Sequence, residues 1–215
     1  NSDVDADNDG IPDSIETAAG GEQTLTLDNF ETNQGWTINP NGSDTATTGQ
    51  WEVGNPEATS SGGNQMQPDT TTSGTQALVT QAAAGSSVGS FDIDSGTTSA
   101  LSPAIQVSTG ARDLTLRYYF AHLNNASSED FLRITLLSGS GSEILLQESG
   151  TASNRSATWL TLNADVSSYA GSSVQLLIEA ADAGSGSLVE AGVDDIEVVT
   201  FVAANFDADT VLPAL

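Results

Sequence analysis

The chain has 215 residues, with 29 acidic residues against four basic ones, all of them arginine, and it contains no lysine and no cysteine. Its formal net charge of −25 excludes binding to nucleic acid or insertion into anionic membranes, because both require cationic contacts. The excess of negative charge favours the binding of calcium and solubility at high ionic strength. Because the chain cannot form disulfides, bound calcium is the cross-link available to stabilise it as an exported protein. Composition therefore predicts a secreted, extracellular protein of a bacterium, from a marine or salt-tolerant source.

The first predicted element is a calcium-binding loop over residues 5–16. This segment matches the twelve-residue pattern D-x-[DN]-x-[DN]-G-x5-E without a mismatch. Alternate residues of such a tight loop can point at one centre, and calcium accepts roughly 6–8 oxygen ligands. The predicted ligands are Asp5, Asp7, Asp9, the backbone carbonyl of Ile11, Asp13 and the bidentate Glu16. The alternative interpretation is a solvated acidic linker that holds no metal.

The surroundings of this loop distinguish it from a calcium sensor. Only four residues precede Asp5, the helix that could follow is stopped by Gly20 and Gly21, and no second loop is present to pair with it. The alternating aspartates of residues 3–16 resemble the thrombospondin type-3 repeats that link domains in secreted bacterial proteins. That resemblance implies a linker stiffened by calcium, and we assign residues 1–21 to it.

Residues 22–203 are predicted to form one antiparallel β-sandwich, of the jelly-roll type. Short apolar runs alternate with polar residues and are separated by Gly, Ser, Asn and Asp clusters, and no long stretch has an apolar period of 3.6. The predicted strands are Thr24–Phe30, Gly49–Val53, Gln76–Gln81, Arg112–Ala121, Phe131–Leu137, Glu143–Gln147, Thr158–Leu162, Val174–Ala180 and Val193–Val202. The Gly- and Ser-rich stretch Pro40–Gly74 is predicted to be a long surface loop, and residues 204–215 a C-terminal tail or linker.

A series of short motifs in this region resembles a known accessory domain. The series begins with Asn29–Glu31, Gly35–Trp36 and Gly49–Glu52 and ends with Gly186–Ile196. In this order the motifs are similar to the MAM-like jelly-roll domain that lies C-terminal to secreted bacterial zinc carboxypeptidases and related exported proteins. The resemblance implies a noncatalytic module of a larger secreted protein, often with structural calcium, whose partner is the neighbouring domain. It implies no particular ligand.

Carboxylates within the sandwich are candidates for further calcium sites. Jelly-roll modules of this kind often hold calcium where the first strand meets the last, which would bring Glu31 towards Asp194 or Asp195. Carboxylates in Gly-rich turns also suit calcium, which tolerates irregular oxygen geometry. A second candidate cluster consists of Asp92, Asp94, Glu129 and Asp130. The alternative for these aspartates is a role in Asx-turns at strand ends.

A catalytic site is not predicted. His122 is the only histidine, which excludes a zinc cluster built from histidines. Residues 85–89 match the G-x-S-x-G motif, but residues 91–96 are not the helix that this motif requires. The sequence does not exclude a pair of carboxylates at the separation that a glycosidase requires, because 29 acidic residues offer many such pairs. We therefore predict that the protein is not an enzyme.

Two functions compete. The first is a structural module stabilised by calcium, and the second is a calcium-dependent carbohydrate- or surface-binding module that holds a secreted enzyme or adhesin on polysaccharide. Trp51 is the candidate ring for stacking on a sugar. The alternative for Trp51 is a structural role, in which its buried ring anchors the neighbouring loop. Trp36 and Trp159 are expected in the core. A concave platform of aromatic and amide side chains would favour the binding module. Fully buried tryptophans would favour the structural one.

The predicted loop can be tested separately from the sandwich. We expect the double substitution Asp5→Ala and Glu16→Ala to remove one calcium equivalent, because it deletes the first and the bidentate ligand. The sandwich should stay folded. Isothermal titration calorimetry measures the stoichiometry and circular dichroism the fold. An unchanged stoichiometry would identify residues 5–16 as an acidic linker only.

Overall fold

The computed structural model describes residues 21–202. In chain order its elements are β1 (Gly21–Asp28), β2 (Thr37–Ile38), β3 (Trp51–Gly54), β4 (Thr59–Ser61), β5 (Asn64–Gln67), β6 (Ala77–Thr80), β7 (Gly96–Leu101), β8 (Ile105–Gln106), β9 (Ala111–His122), β10 (Phe131–Ser138), β11 (Gly141–Ser149), β12 (Leu160–Asp165), a single 3-10 turn (Ser167–Tyr169), β13 (Ser173–Asp182) and β14 (Val189–Val202). The ligands of the predicted calcium loop, Asp5, Asp7, Asp9, Ile11, Asp13 and Glu16, lie outside the described residues, so the loop stays a prediction.

The strands form two six-stranded sheets and one small hairpin. The front sheet has the order β12-β9-β14-β6-β3, with β1 also paired to β14. The back sheet has the order β11-β10-β13-β7-β2, with β8 also paired to β13. All of these pairs are antiparallel. The predicted antiparallel sandwich of the jelly-roll class is confirmed, and no helix within residues 21–202 is long and apolar enough to cross a membrane.

Period-two alternation explains how the core between the sheets forms. In β13, Val174, Leu176 and Ile178 are buried, while Gln175 and Leu177 between them are only half-buried. Successive side chains of a strand point to opposite faces, so one face of β13 enters the core and the other stays open. Leu114 and Leu116 of β9 are buried in the same core, as their alternation predicts.

A second, smaller core lies on the outer face of the front sheet. The β4–β5 hairpin covers this face, and Met66 of β5 is fully buried there beside Tyr119. Trp159 packs edge-on against Tyr119, with 4.9 Å between ring centroids. The prediction of a continuous surface loop over Pro40–Gly74 is therefore wrong for residues 59–67. One methionine among polar neighbours gives no periodic signal, although it fills a core.

Close packing against this second core explains Gly192, the fourth residue of β14. A Cβ at this position would collide with the ring of Tyr119, which is itself fully buried and cannot move aside. We expect Gly192→Ala to lower the free energy of unfolding by about 1–3 kcal/mol, because overpacking strains a close-packed interior. Urea denaturation measures the loss. Gly139→Ala, in a turn with open space around it, is the control, and equal losses for the two variants would contradict this account.

Candidate functional site

Trp36 lies between two clefts at one edge of the sandwich, where residues 29–36 cross from β1 to β2. The first cleft has a volume of about 380 Å³ and lies against Pro103 and Gln106. The second has a volume of about 350 Å³ and lies against Glu52 and other residues of β2 and β3. Trp36 lines both clefts, as does Gln34. We call them the Trp36 clefts.

The indole of Trp36 is held by a buried carboxylate. Asp28 Oδ2 accepts a hydrogen bond of 2.7 Å from Trp36 Nε1, and Asp28 Oδ1 accepts one of 2.8 Å from the backbone N–H of Phe30. The rings of Phe30 and Trp36 pack with centroids 5.6 Å apart. A bulge between Thr26 and Asp28 and a positive φ of 60° at Phe30 turn the chain so that one carboxylate serves both donors. The ring therefore has a fixed orientation.

The second cleft combines apolar surface with amides. Ile38 and Val53 are among the more exposed large apolar side chains, at 37% and 38%. They share the cleft with Trp36 and with the side chains of Asn33 and Gln76. Such a site can pack against the C–H face of a sugar ring and hydrogen-bond to its hydroxyl groups.

Trp51 is not available to a ligand, which corrects the prediction for this residue. It is 1% exposed and packs in the main core with Phe30 and Ile93. Alternation along β3 turns Trp51 inward and its neighbour Glu52 outward. The tryptophan at the clefts is Trp36, which packs against the main core, as the sequence predicts, but is only half-buried. The turn-rich context Asn33–Trp36 was the signal that could have indicated exposure.

Glu31 lies where the first and last strands meet, as predicted, but its carboxylate holds a loop. Glu31 Oε1 accepts hydrogen bonds of 2.7 Å from the backbone N–H groups of both Thr75 and Gln76. These two backbone donors lower the pKa of Glu31. A Cβ at Gly74 would collide with the same carboxylate, so the loop approaches closely only because residue 74 is glycine.

Asp194 and Asp195 hold the other half of this loop. Asp194 Oδ2 accepts hydrogen bonds of 2.8 Å from both the backbone N–H and the hydroxyl of Thr72. Asp195 Oδ1 accepts one of 2.5 Å from the hydroxyl of Ser73. Asp195 has a φ of 44° and lies at a bulge of β14, next to the point where the strand changes its neighbour from β6 to β1. Burial raises the pKa of Asp194. Calcium binding by these carboxylates stays a prediction.

The second predicted cluster lies near the start of β14. Asp92 is 3% exposed and lines a cleft of about 350 Å³ together with the half-buried Asp94. Asp130 is fully buried, and its two oxygens accept hydrogen bonds from the backbone N–H groups of Ala183 and Ser127, at 2.8 and 2.7 Å. Glu129 is exposed.

Two acids in this region were not predicted, namely Asp182 and Glu190, which are 1% and 2% exposed. Asp182 ends β13 and Glu190 is the second residue of β14. Asp182 Oδ1 accepts hydrogen bonds of 3.0 Å from both the backbone N–H and the hydroxyl of Ser187. Glu190 Oε2 accepts one of 2.9 Å from the hydroxyl of Thr80. Within residues 21–202, no three His, Asp or Glu side chains come close enough to form a metal site by themselves.

Comparisons with known proteins describe a β-sandwich module without assigning a family. No protein family matches the sequence, and no curated protein is detectably similar to it. Among solved structures, the chain is similar to the K1 cleaved adhesin domain of Lys-gingipain from Porphyromonas gingivalis, with 14% identity, a TM-score of 0.47, and coverage of 83% of this chain and 97% of that one. It is also similar to the CBM22-1 xylan-binding domain of Paenibacillus barcinonensis Xyn10C, with 18% identity, a TM-score of 0.41, and coverage of 86% and 97%. These similarities are too remote to carry a functional argument, and the predicted relation to the carboxypeptidase accessory domain stays a prediction.

The buried acids predict an unusual pH dependence of stability. Burial, and then repulsion by Asp94 and Asp182, raises the pKa of Asp92 from 3.8 to about 7. Between about pH 4 and 7 the folded protein therefore retains a proton that the unfolded chain has released, so the free energy of unfolding falls as the pH rises. Burial also raises the pKa of Asp182 and of Glu190, which adds to the effect in the same direction.

We therefore expect the protein in EDTA to melt at a lower temperature at pH 8 than at pH 5. Asp92→Asn should flatten this slope, because the amide carries no titrating proton. Asp69→Asn, at an exposed position, is the matched control and should keep the slope of the unsubstituted protein. Differential scanning calorimetry measures the melting temperatures. A melting temperature that rises steadily to pH 8 would contradict the account.

Proposed function

We propose that the chain is a noncatalytic glycan-binding module whose binding site is formed by the Trp36 clefts. The observation that carries this proposal is the half-buried indole of Trp36, fixed by Asp28 at 2.7 Å between two clefts that contain amide side chains. Such a combination of an aromatic ring and amide side chains supports a binding module over a spacer.

The Asp28 contact favours binding for an energetic reason. Ordering a side chain on association costs about 0.5–1.5 kcal/mol, and a ring that is already held does not incur that cost again. The aromatic face is left to supply apolar contact to the ligand, while the polar edge of the indole is satisfied within the protein. Pre-organisation of this kind improves affinity without adding contacts.

Charge restricts the class of glycan. The protein carries a net charge of −25, and the carboxylates of Asp28 and Glu52 lie at the clefts themselves. An acidic polysaccharide would be repelled, since like charges facing each other across an interface are unfavourable. Hydroxyl groups of a neutral sugar, in contrast, can donate to carboxylate and amide oxygens. The proposed ligand is therefore a neutral polysaccharide.

A structural module remains the second candidate, and the burial of Trp51 favours it. In that case the loops held by Glu31, Asp194 and Asp195 serve only to make the sandwich rigid. Calcium at these carboxylates, as the sequence predicts, would support a role as a spacer for a neighbouring domain of a secreted protein. The two candidates differ in one respect, because only a binding module is retarded by a glycan.

Affinity electrophoresis against neutral and acidic polysaccharides, with calcium and again with EDTA, tests the proposal. We expect at least one neutral polysaccharide to retard the protein, and Trp36→Ala to reduce the retardation at least tenfold, because the stacking surface is lost. Ile144→Ala is the matched control, since Ile144 is a 57% exposed apolar residue on β11, outside the clefts. Retardation only by acidic polysaccharides, or retardation unchanged in Trp36→Ala, would contradict the proposal. No retardation at all would leave the structural module as the function.

A further inference from the structure

Two buried carboxylates each have an oxygen without a hydrogen-bond partner. These oxygens are Oδ1 of Asp92 and Oδ2 of Asp182. The two residues are 3% and 1% exposed, so water does not solvate these oxygens as it would at the surface. An unsatisfied, ionised oxygen in a protein interior is costly, because the low dielectric leaves its charge uncompensated. Each of these oxygens therefore indicates a missing partner.

Asp92 lines a cleft, and Asp182 lies behind the lining of the same cleft, where it accepts hydrogen bonds from Ser187. A Cβ at Gly89 would lie 3.8 Å from Asp92 Oδ1, and a Cβ at Gly186 would lie 3.9 Å from Asp182 Oδ2. Gly89 and Gly186 both line the cleft of about 350 Å³ that also contains Asp92 and Asp94. The cleft itself is large enough for an ion and several waters, and Ser187, which lines it, donates two hydrogen bonds to Asp182.

The charges around the pair are negative. Asp92 is repelled by Asp94 and by Asp182, and Asp182 by Asp130. Glu190 is repelled by Asp92 in turn. Arg133 and Arg155 form their ion pairs elsewhere, with Glu179 and Glu148. Neither of these two arginines neutralises the pair, and a cation or a proton from solution can do so.

We propose that Asp92 and Asp182 are the two protein anchors of a calcium site in this cleft. Calcium accepts carboxylate oxygens together with carbonyl oxygens and waters in irregular geometry, so two anchoring carboxylates and an open cleft fit its requirements. Asp94, at the rim of the same cleft, is a third possible donor. Both oxygens of Asp130 already accept backbone N–H groups, so the site is assigned to Asp92 and Asp182 without it. The site is independent of the proposed glycan-binding function.

The consequence of such a site is structural. Asp92 belongs to the segment that leads into β7, and Asp182 ends β13, so a bound cation joins two loops at this end of the sandwich. The Asp92 segment is already held to the start of β14, since the N–H of Ile93 donates a hydrogen bond of 3.0 Å to the carbonyl of Val189. A cation stabilises the folded state by its binding free energy, since it does not bind the unfolded chain in the same way.

The test uses the full chain with Asp5→Ala and Glu16→Ala, so that the N-terminal loop does not contribute. After removal of metal with EDTA and dialysis, calcium chloride is titrated into this parent at pH 7.5 by calorimetry, and its melting temperature is measured with and without calcium. We expect the parent to bind calcium and to melt several degrees higher with it. Adding Asp182→Asn should remove one calcium equivalent and the corresponding rise in melting temperature.

Matched variants distinguish a calcium site from a pair of carboxyl groups that is merely protonated. Asp92→Asn should behave as Asp182→Asn does, whereas Asp69→Asn, at an exposed position, should bind calcium as the parent does. The proposal is overturned if the parent binds no calcium, or if Asp92→Asn and Asp182→Asn bind it unchanged, in which case a proton is the partner of the pair. If neither Asn variant folds, the backbone amide signals of Gly89 and Gly186 in the parent decide by NMR. They shift with calcium if the site exists and stay unmoved if it does not.

Discussion

Hydrogen bonds to carboxylates fix the loops of this sandwich onto its strands in the absence of disulfides. Glu31 accepts two backbone N–H groups of the loop before β6, and Asp44 accepts the backbone N–H of Ser99 at 2.7 Å. Such bonds to an ionised acceptor are stronger than neutral ones. Because the chain has four arginines for 29 acidic residues, most carboxylates must be stabilised by backbone N–H and hydroxyl donors instead of ion pairs. Asp28 fixes Trp36 by a hydrogen bond of the same kind. Asp92 and Asp182, in contrast, each have one buried oxygen that accepts no hydrogen bond.

The sequence predicted the strands in which apolar and polar residues alternate. It missed the strands that form because of tertiary pairing or a single buried side chain. Each of the nine predicted strands corresponds to a strand of the sheets, including β9 and β13. The strand β7, in contrast, has the sequence GTTSAL and lacks an apolar alternation, although it pairs with β13 over six residues. Tertiary pairing, and not local pattern, makes it a strand. The β4–β5 hairpin was missed for a similar reason, since only Met66 enters its core.

For the candidate sites, sequence indicated the neighbourhood better than the contacts. Glu31 and Asp194 do lie where the first and last strands meet, but spacing could not reveal that loop donors reach their oxygens. Trp51 is fully buried, and Trp36 packs against the main core but stays half-buried at the clefts, because the burial of a single ring depends on the phase of a short strand and on the path of a turn. Asp182 was missed although it precedes a Gly- and Ser-rich loop, because the burial of its carboxylate depends on tertiary packing that the local sequence does not show.

The measurement that tests the proposed function most directly is an NMR titration of the full chain labelled with 15N. The three tryptophans give three indole N–H signals, and only that of Trp36 belongs to the clefts. On addition of the neutral polysaccharide that retards the protein most, or its soluble oligosaccharides, the Trp36 signal should shift while those of Trp51 and Trp159 stay in place. An unmoved Trp36 signal alongside shifts at other residues would locate the binding site elsewhere and contradict the account.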